Sequence, residues 1–273
     1  MKCQGSTLAG LFAFATALSS LPVAEAAPVP VSFAEGASHG YLALGSENGE
    51  TIAQGELLQT VRDERVESRL VFQFKDGSLY EEKVTFSQQR VFTVLSYQLI
   101  QRGPSFPHDL HISMDRGTGA YQVRARSRAD HAEEVTTGRL EWPPDVYNGI
   151  IGTLLKNLPR GKTETVHFVA FTPKPKLIKL ELRPETDETV LVGDLSKSAT
   201  RYVLKPRLNV LVHFFGKLLL RLPSTFHYRF WILTDGVPSF ARFEGPLSLM
   251  GPIWRVELLS PRLPAMPSDK PRN

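Results

Sequence analysis

Apolar and polar residues alternate with period two along most of this chain, and that pattern restricts it to β structure. From Val66 to Phe74 one set reads Val66, Ser68, Leu70, Phe72 and Phe74, and the other Glu67, Arg69, Val71 and Gln73. A strand with one buried face and one wet face produces that alternation. Lys75-Asp76-Gly77-Ser78 then supplies an Asp-Gly hairpin turn into a second strand over 79–86. Further strands are predicted at 90–101, 109–115, 119–127, 164–171, 176–183, 188–194, 199–205, 226–234, 238–244 and 252–259, with weaker ones near 40–45 and 52–62. Gly103-Pro104, Asp115-Arg116-Gly117, Asp235-Gly236 and Gly251-Pro252 separate them as turns. The expected fold is mainly β: a large curved antiparallel sheet or half-barrel of about a dozen strands.

Two segments break the alternation and are expected to cover this sheet as amphipathic helices. The first runs from about 144 to 158, with Asp145 at its start and a stripe of Val146, Ile150, Ile151, Leu154, Leu155 and Leu158. The second runs from about 208 to 222. Its apolar arc includes Phe214, Phe215 and Leu218, and its polar face carries His213, Lys217 and Arg221. Three uses of this second helix follow: a cap over the open mouth of the sheet, a mobile lid over a lipophilic cavity, or contact with an anionic membrane surface. In the ligand-binding use Phe214, Phe215, Lys217, Leu218 and Arg221 are the contact residues.

The start of the chain is a secretory signal in form. Lys2 precedes the apolar run Leu8 to Leu18, then come Pro22 and the small-x-small triplet Ala24-Glu25-Ala26. The run is shorter than the roughly 20 residues a spanning helix needs. Cleavage after Ala26 leaves 273 − 26 = 247 residues, with no transmembrane span. The expected organisation is a signal over 1–26, one β-rich domain over 27–259 and a Pro-rich disordered tail over 260–273. The sole cysteine, Cys3, leaves with the signal, which excludes thiol catalysis and thiolate metal sites from the mature chain. A bacterial periplasm is the expected destination. A net charge of +4 over 273 residues is too mild to point to a nucleic-acid partner, and a lipid or another envelope component is the expected one. No Gly-x-Ser-x-Gly, Walker A, dinucleotide-binding or His-Glu-x-x-His motif occurs, so no cofactor is implied.

Two places carry residues with chemistry. Glu82 shares a strand face with Tyr80, Val84 and Phe86, so alternation turns a carboxylate toward the core or a cavity. Buried carboxyls have raised pKa values unless paired and concentrate at functional sites; the bland alternative is an inward Glu held by an Arg or Lys, or a strand face that is only half buried. On the strand over 109–115, Asp109, His111 and Asp115 share a face with Ser113. Imidazole with carboxylates can bind a metal or form a general-base pair, although along one strand these groups are spread out and also read as a plain wet face. Trp142, Trp231 and Trp254 sit at element ends, as core packing or as the lining of an apolar cavity.

Several stretches carry a family resemblance: Phe74 to Leu79 with Glu82 and Phe86-Ser87-Gln88, Ile100 to Pro104, Trp142 to Val146 with Asn148-Gly149, Leu154-Leu155-Lys156, Thr172 to Leu177, Pro238 to Phe240, Glu244 to Leu247 and Gly251 to Arg255. In these the chain resembles a family of exported β-rich proteins of Acidobacteria-type bacteria that has no assigned activity. The resemblance implies export and β architecture. This chain departs from the family's pattern in two places. Tyr97-Gln98 stands where the family tends to carry an Asp-His pair, and Leu218 to Pro223 is an insertion. More distantly, the expected architecture looks like the half-barrel of periplasmic lipoprotein carriers, which fixes no function.

Three functional readings follow from the sequence. The first is a non-enzymatic envelope protein that binds a lipophilic ligand or an envelope partner. The second is an exported hydrolase or metal-dependent enzyme using Glu82 or the His111/Asp115 face. The third is a purely structural envelope module.

Overall fold

The computed structural model describes residues 28–171, 175–207, 228–248 and 251–259. The signal segment, the basic helix expected over 208–222 and the Pro-rich tail lie outside the described residues. Among the described residues fourteen strands form one antiparallel sheet. They are β1 (Ser38–Gly45), β2 (Thr51–Arg62), β3 (Arg65–Phe74), β4 (Leu79–Gln88), β5 (Phe92–Arg102), β6 (His108–Asp115), β7 (Ala120–Ser127), β8 (Glu133–Arg139), β9 (Glu164–Ala170), β10 (Lys176–Val192), β11 (Leu195–Pro206), β12 (Tyr228–Leu233), β13 (Ser239–Gly245) and β14 (Trp254–Leu259). The order across the sheet is β8 to β1 and then β14 back to β9. Two meanders therefore meet where β1 pairs with β14, and β8 and β9 are the ends of an open sheet.

The sheet curls until distant strands touch. Tyr97 of β5 stacks on Phe171, just past β9, with ring centroids 5.6 Å apart and planes 7° from parallel. Hairpin turns at Asp76-Gly77 and Asp235-Gly236 fall where the sequence places them, Gly77 and Gly236 having positive φ. Gly55 admits a close approach on the inner face, since a Cβ there would collide with the Phe72 ring.

The expectation of two covering helices is corrected. Among the described residues there is one helix, α1 (Ile151–Asn157), only seven residues long. The segment before it is not helical, because its backbone is used by the edge strand β9. Val146 bridges His167 in parallel, Tyr147 N donates to His167 O (3.1 Å) and His167 N donates to Asp145 O (2.9 Å). Asn148 completes the pairing through both its amide atoms, to Val169 N and Val169 O. Asp145, read as a helix-dipole residue, instead accepts from His167 Nδ1 at 2.6 Å, its carboxylate 2% exposed.

The same segment reaches the other end of the sheet. Leu140 N donates to Gly119 O, and the Arg116 guanidinium donates to Val94 O, Trp142 O and Pro143 O. Residues 140–158 thus lace the two ends together and fill the curl. Tyr147, Ile150, Leu154 and Leu155 are almost wholly buried there. The chain entering β1 is tied to this plug as well. Val29 N donates to Tyr147 Oη, Ser32 N and Phe33 N both donate to Asn157 Oδ1, and Glu35 pairs with Lys156.

Two more sequence boundaries change. β8 was not anticipated; it is solvated on both faces, so its residues show no alternation. The strands expected at 176–183 and 188–194 are one strand of 17 residues with an irregularity between Pro184 and Asp187.

Gly149 (φ +77°) turns the chain from the segment paired with β9 into α1, and a Cβ there would lie 3.2 Å from Val84 Cβ and 3.3 Å from the Tyr97 ring. Gly149→Ala is therefore expected to destabilise the protein by about 1–3 kcal/mol, lowering the melting temperature and the hydrogen-exchange protection of Leu154. Unchanged values for both would show that the plug does not depend on this approach.

Candidate functional site

The inner face of β4 carries Tyr80, Glu82, Val84 and Phe86, as alternation from the buried Val84 and Phe86 requires. In register, Glu82 lies between Leu70 of β3 and Leu99 of β5. Extended across the sheet, this row reads Val123, Ile112, Leu99, Glu82, Leu70, Leu57 and Gly40. Glu82 is the single ionisable group in it.

The partner of Glu82 is a phenol. Tyr97 Oη donates to Glu82 Oε1 at 2.8 Å. Tyr97 faces inward because of a register shift: Phe86 pairs with Val94 but Thr85 with Ser96, so β5 carries one extra residue. The bulge puts Phe92, Val94, Tyr97, Leu99 and Gln101 all on the buried side. Strict alternation from Val94 would have sent Tyr97 outward. Its ring is then held between Phe171 and the hydrogen-only surface of Gly149.

Two further tyrosines complete the surroundings. Tyr80 is buried one pleat from Glu82, and Tyr228 of β12 approaches it from across the curl. Burial pushes the Tyr228 phenol up to about 12. Burial, then the charge of Glu82, hold Tyr80 and Tyr97 well above the ordinary phenol value. All three are neutral hydroxyls at physiological pH. Burial likewise raises the Glu82 carboxyl, and the bond from Tyr97 only partly offsets it. Among the described residues no Lys or Arg pairs with Glu82, unlike Glu81 beside it, which faces outward to Arg69 and Lys83. Glu82 is nevertheless half-buried rather than sealed, as are Leu57 and Leu70 in its row and Phe168, Tyr228 and Phe230 elsewhere on the inner face.

Asp109, His111 and Asp115 are spaced along one strand and are not gathered into a group that could hold a metal. All three lie on the outer face of β6, with His111 and Asp115 exposed. Asp109 accepts from Gly103 N and lies near Arg128. Asp115 accepts from Thr118 N and Thr118 Oγ1, and these bonds lower its pKa. It is a turn residue of the β6–β7 hairpin. Among the described residues no group of three or more His, Cys, Asp or Glu is placed to hold a metal. Phe214, Phe215, Lys217, Leu218 and Arg221 lie outside the described residues. The three tryptophans are packed: Trp142 under the Arg116 guanidinium, Trp231 beside Arg242, and Trp254 against Phe74 and Phe106.

Of the two bland alternatives for Glu82, a cation partner is absent among the described residues, while its strand face is only half-buried at that position. The sequence places Tyr80 on the face of Glu82 and marks Tyr97 only as a departure from a family pattern; the approach of Tyr228 has no local trace. Comparison of the chain with protein-family models, with curated proteins and with solved structures gives no match.

An acid whose pKa is raised by folding adds stability only while protonated. Its contribution is complete below the unfolded value near 4.5 and is lost as pH rises through the folded value. Glu82→Gln keeps the shape and a partner for Tyr97 without the charge. It is expected to match the parent near pH 4 and to melt about 2–4 °C higher at pH 8, the shift that about 1 kcal/mol produces in a chain of this size. A lower melting temperature for the variant at pH 8 would mean that a cation neutralises Glu82.

Proposed function

We propose that this is an exported, non-enzymatic protein of the cell envelope that holds an elongated apolar ligand against the inner face of its sheet, with the ligand's polar end at Glu82. The observation that carries this reading is the row through Glu82: five apolar side chains flanking one carboxyl, with Glu82, Leu70 and Leu57 half-buried. Binding clefts have this makeup, mostly apolar lining with a few placed polar groups. A protein gains no stability from an uncompensated carboxyl in such a place, and retained destabilising groups mark function.

The ligand belongs inside because the outer face is charged. Arg69–Glu81, Arg201–Glu185, Arg242–Glu257 and Arg255–Glu244 pair across neighbouring strands there, at 2.7–3.1 Å. The lipid-facing wall of a membrane barrel is apolar instead. Curling around a plug gives the architecture of a half-barrel, the shape expected from the sequence for a periplasmic carrier. The signal-like segment over 1–26 supports export.

Hydrolysis by Glu82 is the less favoured reading. A carboxyl acting as general acid or base in hydrolysis works with a nucleophile, a second carboxylate or a held water. The described groups against Glu82 are phenols.

Purified protein is expected to bind an apolar fluorescent probe saturably at one site, and native mass spectrometry is expected to show a co-purified lipid-like species. Leu70→Trp, which fills the row beside Glu82, is expected to weaken the probe about tenfold, roughly 1.4 kcal/mol, while the melting transition stays cooperative. Absence of both probe binding and a co-purified species would rule the reading out.

A further inference from the structure

We propose that the polar end of the ligand is a primary alkylammonium, bound by Glu82 and Gln101 within the ring of Tyr80, Tyr97 and Tyr228. This rests on the reading of the inner face as an apolar binding surface and specifies what it selects.

The argument is a balance of donors and acceptors. Glu82 accepts one hydrogen bond, from Tyr97, and has a second carboxylate oxygen. Gln101 lies opposite Tyr80 in register, one pleat from Glu82 on the same inner face, and is 2% exposed. Its Nε2 donates to His108 O, which fixes the orientation of the amide and leaves Oε1 as the remaining group. That oxygen is buried and has no hydrogen-bond partner among the described residues. A buried acceptor without a donor costs about 1–3 kcal/mol, and such groups in native proteins have a reason. Two side chains diagonal to one another on one apolar face thus each keep an acceptor oxygen without a donor among the described residues, and one of them can carry a negative charge.

The complementary ligand brings N–H donors and a positive charge. A primary ammonium has three N–H donors in compact form. It satisfies Glu82 and Gln101 together and can give its third hydrogen to a phenol oxygen. Tyrosine rings close to it add the attraction of their negative faces for a cation. A fatty carboxylate meets Glu82 as a like charge. An alcohol supplies one donor and no charge. The alkyl chain then lies along Leu70 and Leu57, the half-buried side of the row.

The test is titration calorimetry of the full mature protein with decylammonium, decanol and decanoate, all below micelle formation, at pH 7.5. Decylammonium is expected to bind at least about tenfold tighter than decanol, with decanoate weakest. In Glu82→Gln the amine and the alcohol are expected to bind equally. In Gln101→Leu the amine alone is expected to weaken severalfold. Thermal melts of both variants show whether they are folded, and the order of the three probes on the unaltered protein stands without them. Equal binding of the three probes would overturn the ammonium assignment and leave apolar binding intact. Tightest binding of decanoate would also overturn it, placing a cation in the cleft. Binding of none of the three would remove the proposed function itself.

Discussion

A sheet of fourteen strands with one apolar face has to hide that face, and in this protein residues 140–158 are what it hides against. Everything else in the architecture follows from that requirement. The two outermost ends of the sheet cannot pair directly, since β8 is a fully solvated strand and β9 lies across the curl. The intervening chain takes up the unpaired groups instead. It gives carbonyls to Arg116 on one side and a short parallel ladder to β9 on the other. The buried Asp145 carboxylate is stabilised by its short bond to His167, and a buried carboxylate left without such a partner would be costly. The helix that follows is short because its first turn was given up to this ladder.

The plug also shapes the interior around Glu82. Gly149 and Phe171 hold the Tyr97 ring from two sides, and Tyr97 holds the carboxyl. The surroundings of Glu82 are thereby linked to the plug, since the approach of Gly149 helps to place the phenol that bonds the carboxyl. An inward carboxyl with raised pKa, neutral phenols around it and an orphaned amide oxygen nearby is an arrangement with more acceptors than donors.

Much of the fold was legible because half-buried antiparallel strands leave a period-two trace, and the Asp-Gly turns mark where they reverse. Glu82 was legible for the same reason. What escaped had no such trace. β8 has both faces in water and so no alternation; the bulge in β5 changes the facing of Tyr97 by one inserted residue that no local pattern announces. The stripe Val146, Ile150, Leu154 and Leu158 has helical spacing, yet its first turn pairs with a strand contributed from beyond α1, a tertiary override of local periodicity. The pairing of Asp145 with His167 and the approach of Tyr228 to Tyr80 join residues far apart in sequence, and only the curl brings them together.

Among the described residues Glu82 is an inward carboxyl with no cation beside it. Its ionisation can be followed directly from the carboxyl carbon by NMR in protein labelled at glutamate, with Glu82→Gln identifying the resonance. A midpoint clearly above the ordinary glutamate value near 4.5, with the resonance of Tyr97 moving in step, is the predicted result. A midpoint at or below that value would contradict the account, because it would mean that water or a cation already stabilises the charge.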